Sequence, residues 1–496
     1  MAVDNELNPV LGIDLGTTFS AIARWDGRGS RVYQTKTGED TLQSVVYMDS
    51  ETNEILVGKL AYRKGLITPE NVVIGVKREM DNAQKLVPLA NKIVSPIELS
   101  AEILKRMYAD VREKYPPGRF RSRGTVVTVP YYFKAHQCEN TRLAAEKAEI
   151  ECVGILQEPI AASLSYAWQL VQDHPEREAS ENILVFDLGG GTFDLTLFQL
   201  TQNRDKLIFE VLGTGGDDRL GGLDFDECLA SFLVQKEGIS LSGLSPVDER
   251  KARQKILAAA NEAKITLSAS RDAYVTVTDY VPGKHLDTKV TRKEFETCIK
   301  KYIEEIQYII ENLWNASNIR PHQIDRVLRV GGSSNIPCMK ELLSDMVGAD
   351  KLYSNTNLSL CVVDGAALYA AYLDDREVFG RDIEIQTRTC HALGIETAGG
   401  VFFPIIPANR KTPCQSSQVF TTDVDGATAL DINVYQGSSR LVKDNVLVGT
   451  INISGLPARM RGELDINVTF KVSEEQALSV VVEAEGMRKS AVLSYS

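Results

Sequence analysis

The chain has 496 residues, 43% hydrophobic and 25% charged, ordinary values for a folded globular protein long enough for about three domains. A net charge of −12 at pH 7 weighs against nucleic acid or an anionic membrane as the main partner. Eight scattered cysteines without a C-x-x-C pair read as buried thiols of a reducing compartment, and five isolated histidines form neither a metal cluster nor a triad. No apolar run nears the roughly 18 residues of a membrane span. Residues 1–6 show neither a basic region nor an apolar core, so no export signal is expected and the chain is placed in the cytoplasm.

In chain order, Val10–Asp14 is an apolar strand ending in an aspartate, followed by Leu15, Gly16, Thr17, Thr18 and Phe19 and then the alternating run to Trp25. Residues 32–35 and 44–48 predict short strands. Lys77 lies within residues 72–80; alone it would be an ordinary solvated lysine, and only the phosphate-type turns elsewhere in the chain raise a functional reading. Residues 96–115 carry helical spacing at Leu99, Ile103, Leu104, Met107 and Val111. The nearly all-apolar run 125–130 suits a sheet covered on both faces. A helix is expected over 134–148 and a strand at 154–156. Glu158 and Pro159 then open an Ala-rich helix. Glu158 is either a helix-terminal charge or a carboxylate at the sheet edge where ligands sit in α/β folds.

The second half repeats the plan. Ile183–Phe186 forms a buried strand ended by Asp187, and Gly189, Gly190 and Gly191 turn the chain back into a second strand from Phe193. Glycines let backbone N–H groups approach an anion, Thr192 adds a hydroxyl, and Asp187 and Asp194 flank the turn as carboxylates suited to hydrated Mg²⁺. Two copies of one aspartate–glycine–threonine phrase predict a duplicated domain with one phosphate-gripping hairpin per half. The glycines at 213–216 and 221–222 either touch phosphate or simply turn the chain. Helices are expected over 251–268 and over 294–314, the latter with a capping box between Thr291 and Glu294. The strand 326–330 runs into Gly331, Gly332 and Ser333, a place for a nucleotide's sugar or base. Residues 364–372 form another helix. After a charged link carrying Ile383 and Ile385, helical patterns stop, and four alternating or apolar runs between 430 and 482 predict a small antiparallel β-domain.

Together, the motifs at 12–18, 129–130, 158–159, 187–194, 220–226, 331–333, 393–396 and 417–420 closely resemble the seventy-kilodalton heat-shock chaperones of the DnaK type, across nearly the whole chain. The resemblance implies an α/β fold: an actin-like (ribonuclease H-like, duplicated) two-lobed ATPase domain at 1–378, with lobes at about 1–182 and 183–378. It implies a linker at 379–389 and a small β-sandwich at 390–496, with the family's helical lid missing. It implies ATP or ADP with Mg²⁺, and K⁺ as a further candidate ion. Extended or unfolded peptides, J-domain proteins and a nucleotide-exchange factor are the implied partners. By position, Gly16, Thr17, Thr18 and Phe19 would hold the β- and γ-phosphates, together with Gly189, Gly190 and Gly191, and Thr192 the γ-phosphate. Asp14 and Asp187 would hold Mg²⁺ through water, while Lys77, Glu158 and Asp194 place and polarise the attacking water. Lys264, Ser268, Gly331, Gly332 and Ser333 match the adenosine site. Ile395, Phe420, Leu430 and Ile432 match the peptide pocket, with plain core packing as the alternative.

Departures from the family pattern shape further expectations. Asn261, Ile265, Asn335 and Ser359 replace charged adenosine-site residues, which implies micromolar nucleotide binding and reduced adenine preference. Cys138 stands at the family's relay arginine, Gly154 at an arginine that contacts J-domains, and Asp423 in the arch over the peptide. The alternating link 383–387 offers less apolar surface for docking than a leucine run, so weaker interdomain coupling is expected. A missing lid implies fast peptide exchange. The altered adenosine positions also admit a regulatory nucleotide-binding scaffold with little turnover. A sugar kinase on the same fold is disfavoured because the β-domain would have no role.

Overall fold

The computed structural model describes residues 8–81, 85–354, 360–473 and 478–493, the side chains of Ala135 and Val492 excepted. Val10–Asp14 is almost wholly apolar and buried because the sheet it joins is covered on both faces. It pairs in parallel with Gly124–Val129, every residue of which is buried, and antiparallel with Phe19–Trp25. Cys152–Gln157 and Ser30–Val32 lie at the two ends of that strand order, and Leu42–Gln43 pairs with Phe19–Trp25 off the main path. In a second, five-stranded sheet Ala179–Leu188 pairs in parallel with Arg326–Val330 and antiparallel with Phe193–Gln202, which in turn pairs with Lys206–Asp217. In both sheets an apolar strand, a glycine turn and an antiparallel return lie beside a parallel neighbour. That geometry puts both turns at the carboxyl ends of their first strands, where ligands bind in α/β sheets.

The helix Cys361–Asp374 seats the first sheet against the helix Glu158–Asp173. The approach is closest at glycines. A Cβ on Gly365 would lie 1.8 Å from the Ala161 carbonyl oxygen, and one on Gly12 would lie 2.1 Å from the Ala367 nitrogen. Backbone cannot yield as a side chain does, so Gly365→Ala is expected to cost about 3 kcal/mol. Thermal unfolding checks this: the variant's Tm should fall by several degrees, and an unchanged Tm would refute the close-packing account.

Several expectations shift. Gly213, Gly215 and Gly216 do not turn the chain; they lie in the strand Lys206–Asp217, where Gly213 and Gly215 admit Leu313 and Ile309 of the helix Lys300–Ser317 and Gly216 pairs with Asp194. The helix expected over 294–314 is two helices, Arg292–Cys298 and Lys300–Ser317, meeting at the buried Ile299. The capping box is present: the Thr291 hydroxyl accepts from the Glu294 amide at 3.2 Å, and Glu294 accepts from the Thr291 amide at 2.8 Å.

The charged link after residue 378 includes a docked strand. Asp382–Gln386 is the edge strand of the second sheet, parallel to residues 206–210, with Ile383 and Ile385 packed on its core. A ladder of main-chain hydrogen bonds holds this segment whatever its alternate side chains. Beyond it, Val401–Ile406, Ala392–Thr397, Ala429–Gly437 and Val446–Ser454 form one sheet, while Cys414–Phe420, Ile466–Val472, Leu478–Ala484 and Met487–Leu493 form another. Side chains of both sheets, among them Val434, Ile451, Val468, Phe470 and Val480, share one core. Among the described residues no helix is long and apolar enough to cross a membrane.

Candidate functional site

The two hairpin turns bring their aspartates to one place. Asp14 ends its strand, while Asp187 and Asp194 face each other across the second hairpin. Lys77, on the short turn Val76–Glu79, and Glu158, first residue of its helix, arrive from elsewhere in the chain. Their Nζ and Oε1 atoms are 2.5 Å apart, and the residues are only 5% and 7% exposed. Thr128 donates to Asp14 at 3.1 Å, and the Tyr132 amide donates to Asp194 at 3.0 Å. Burial first, and Glu158 second, push the Asp14 and Asp194 carboxyls up to about 7, against the pull of Lys77. Asp187 is raised well above the carboxylate range by burial and then by Glu158, Asp194 and Asp14. Four carboxyl groups against one ammonium make a site that favours an added cation. Among the described residues no group of three or more His, Cys, Asp or Glu side chains could ligate an ion directly. Two aspartates at separate turns fit Mg²⁺ that keeps most of its water shell.

The raised carboxyls fix a sign. Unfolded, these aspartates ionise near pH 4; folded and free of ligand, Asp14 and Asp194 hold their protons to about pH 7. Between those values the folded state binds more protons, so the stability contribution is lost as pH rises and the site opposes folding fully above about pH 7. A bound cation relieves that opposition. Mg-ADP should therefore raise Tm more at about pH 8 than at about pH 5.5. Equal rises at both pH values would contradict the placement of these charges.

The turns themselves touch. A Cβ on Gly190 would lie 1.8 Å from the Thr18 hydroxyl, and one on Gly191 would lie 2.4 Å from the Thr17 methyl. Ser44 fixes the first turn, donating to the Gly16 carbonyl at 2.7 Å while its hydroxyl lies 2.9 Å from that of Ser20. The Thr18 hydroxyl is buried without a hydrogen-bond partner, an orphan that an oxyanion between the turns would satisfy. Phe19 is exposed at the rim, and Thr192 is buried in the second turn. Arg78 spans the cleft: Nε donates to the Gly191 carbonyl at 2.7 Å and Nη2 to Asp224 at 2.5 Å.

A third cluster adjoins the second turn. The Gly222 amide donates to the Gly189 carbonyl at 3.0 Å, and a Cβ on Gly222 would lie 2.5 Å from the Ser333 hydroxyl. Lys264 Nζ sits 2.7 Å from Asp226 and donates to the Gly222 carbonyl at 3.0 Å, while Asn261 donates to the other Asp226 oxygen at 2.9 Å. Gly331 has φ +79°, and a Cβ there would lie 2.8 Å from Asp187 Oδ1, so this turn abuts the acid centre. Gly332 follows it on the exposed side. The Ser268 hydroxyl is turned to its own helix, bonding the Lys264 carbonyl. Ile265 is 60% exposed on the same helix, and Asn335 is exposed beside Gly332. Ser359 lies outside the described residues.

A family model described as "Hsp70 protein" matches residues 10–87 and 79–494. The chain belongs to the Hsp70 family. Its relatives include "Chaperone protein DnaK" of Thermotoga petrophila, 35% identical over 487 residues, which are 97% of this chain and 79% of that protein. "Chaperone protein DnaK" of Thermosipho africanus is 34% identical over 492 residues, or 98% of this chain and 79% of the relative.

In this Hsp70 chain the candidate peptide residues lie apart from the acid centre and divide in two. Ile395 and Ile432 are core side chains of the β-domain, 5% and 8% exposed. Phe420 and Leu430 sit at the margin of that core, half-buried, with Phe420 edge-to-face on Phe403 at 5.3 Å. The sequence did not single out Arg78, Thr128, Tyr132 or Asp224. Only the second basic residue beside Lys77 hinted at the first of them.

Proposed function

We propose that this Hsp70 protein hydrolyses Mg-ATP between the two glycine turns and uses that hydrolysis to modulate its hold on extended apolar peptides. At family level it is an ATP-dependent molecular chaperone and an ATPase. The observation that carries the site assignment is the buried, unpartnered Thr18 hydroxyl between two touching turns, above a cluster of carboxyls with excess negative charge. In this reading residues 1–182 and 183–378 are duplicated ribonuclease H-like lobes, 379–389 is the linker and 390–496 a β-sandwich. Gly16, Thr17, Thr18, Phe19, Gly189, Gly190, Gly191 and Thr192 cradle phosphate oxygens through backbone N–H groups and hydroxyls. Lys264, Ser268, Gly331, Gly332 and Ser333 border the adenosine, with Ile265 offering an apolar face to the base.

Asp14 and Asp187 would hold a hydrated Mg²⁺, which when bound neutralises charge on the phosphates; K⁺ is a further candidate ion. Lys77, clamped by Glu158, presents its ammonium toward the γ-phosphate side and orients the attacking water. Asp194, fixed by the Tyr132 amide, accepts that water's hydrogen bond. Phosphoryl transfer asks little covalent chemistry of the protein, so positioning and charge stabilisation carry the rate. A scaffold without turnover is not favoured, because the buried Lys77–Glu158 pair serves no binding contact that a simple anion site needs.

Cys414–Phe420 forms one edge of its sheet. An extended peptide held by main-chain hydrogen bonds beside it would place one side chain against Phe420 and Leu430, over Ile395 and Ile432. J-domain proteins and an exchange factor are the proposed partners, and the cytoplasm the proposed location. Anisotropy of a labelled apolar heptapeptide tests the groove. Leu430→Asp should weaken binding about tenfold or more, since a charge replaces an apolar contact. Wild-type affinity in that variant would remove the groove from the reading.

A further inference from the structure

The segment entering the β-domain holds two successive backbone carbonyls of the ATPase domain, those of Tyr131 and Tyr132, and accepts from the Tyr131 hydroxyl. The Cys390 thiol donates to the Tyr131 carbonyl at 3.1 Å. His391 Nε2 lies 3.1 Å from the Tyr132 carbonyl, so that nitrogen carries the donated proton, and its ring stands edge-on to the Tyr132 ring at 4.9 Å. The Tyr131 hydroxyl donates to the Arg388 carbonyl at 3.3 Å, and Arg388 is itself anchored on the Val211 carbonyl at 2.6 Å and the Asn409 carbonyl at 2.9 Å. The peptide joining Tyr131 to Tyr132 therefore accepts from Cys390 at its oxygen and donates to Asp194 at its nitrogen, 3.0 Å away. An accepted hydrogen bond at a carbonyl polarises the amide and strengthens the bond its N–H makes.

We propose that Cys390 and His391 are positioning residues for ATP hydrolysis: from the β-domain side Cys390 holds the 131–132 peptide unit whose N–H fixes Asp194, and His391 holds the carbonyl of the next unit, so that Tyr132 is braced on both sides. They touch neither nucleotide nor attacking water; they set how firmly Asp194 is held. The docked strand 382–386 places them there, so the quality of docking is read at a single carboxylate. This rests on the reading that Asp194 takes part in hydrolysis.

The test is steady-state ATP hydrolysis by the full chain carrying Cys390→Ala with His391→Leu, which remove both donors, against Cys390→Ser with His391→Gln, which keep them. The first pair should lower kcat about three- to tenfold with KM for ATP unchanged, the size of a lost buried hydrogen bond at a reacting group. The second pair should restore kcat to within about twofold. The single variants Cys390→Ala and His391→Leu, each gentler on folding, should show the same sign. Wild-type kcat in the donor-less variants, or an equal loss in the donor-keeping pair, overturns the proposal. Asp194→Asn run alongside separates the two failures. If it hydrolyses ATP normally, the parent reading falls and the proposal with it. If it is impaired while the donor-less variants are not, only the positioning role falls.

Discussion

Lys77→Met is expected to lower the single-turnover rate of ATP hydrolysis by about 10²–10³-fold, with Mg-ADP affinity staying within a few-fold of wild type. Lys77 is the one cation among the four buried carboxyls of the acid centre, 2.5 Å from Glu158 and opposing the upward shift of Asp14, Asp187 and Asp194. Its charge should count most where negative charge moves during phosphoryl transfer, and least for phosphates that the turns would cradle. Removing it also leaves Glu158 buried without a counter-charge, a loss of up to about 3–5 kcal/mol in stability if the site cannot take up a proton. Rate and stability are therefore measured together, by quench-flow and by thermal unfolding with Mg-ADP. A variant that folds and keeps more than about a tenth of the wild-type rate would contradict the assignment.

Gly190→Ala is expected to weaken Mg-ADP binding by about 100-fold or more. The added Cβ would sit 1.8 Å from the Thr18 hydroxyl and 2.9 Å from its Cβ, so the two turns must part to admit it. Neither turn can move cheaply, because Ser44 ties the Gly16 carbonyl of the first and Arg78 ties the second to Asp224. Parting the turns removes donors from both sides of the phosphates at once. Gly189→Ala is the informative comparison: its nearest neighbour, the Thr192 carbonyl oxygen, is 3.8 Å from the added Cβ, so it costs less. Calorimetric titration of both variants reads the difference. Equal losses, or no loss at Gly190, would show that contact between the turns does not govern the site.

The parts of the site that are local in the chain were legible from the sequence. An apolar run, an aspartate, a glycine turn and an alternating return describe a hairpin completely, because burial and turn conformation are encoded within a dozen residues. What closes the cleft was not legible. Glu158 lies 81 positions from Lys77, and Asp224 lies 146 from Arg78; no local pattern signals that either pair meets. Gly213, Gly215 and Gly216 looked like a turn because glycine supports both a turn and a close helix approach, and only the tertiary partner decides between them. The hairpin Asp272–Val281 and Lys284–Thr291 escaped notice although its buried positions alternate. For the charged link 382–386 the sequence reports polarity only. Its side chains alternate in polarity, but its attachment runs through main-chain hydrogen bonds to residues 206–210, which sequence polarity does not report. Ile395 and Ile432 show the limit in the β-domain: an apolar residue beneath a groove and one inside a core read alike until exposure is known.

Purified protein is mixed in excess with γ-labelled ATP and Mg²⁺, and free phosphate is followed through a single turnover, with Lys77→Met and Gly190→Ala in parallel. Opposed glycine turns over a carboxylate cluster predict binding followed by release of one phosphate per ATP, with chemistry lost in the first variant and binding in the second. Tight binding with the triphosphate left intact, or hydrolysis indifferent to both substitutions, would contradict the account.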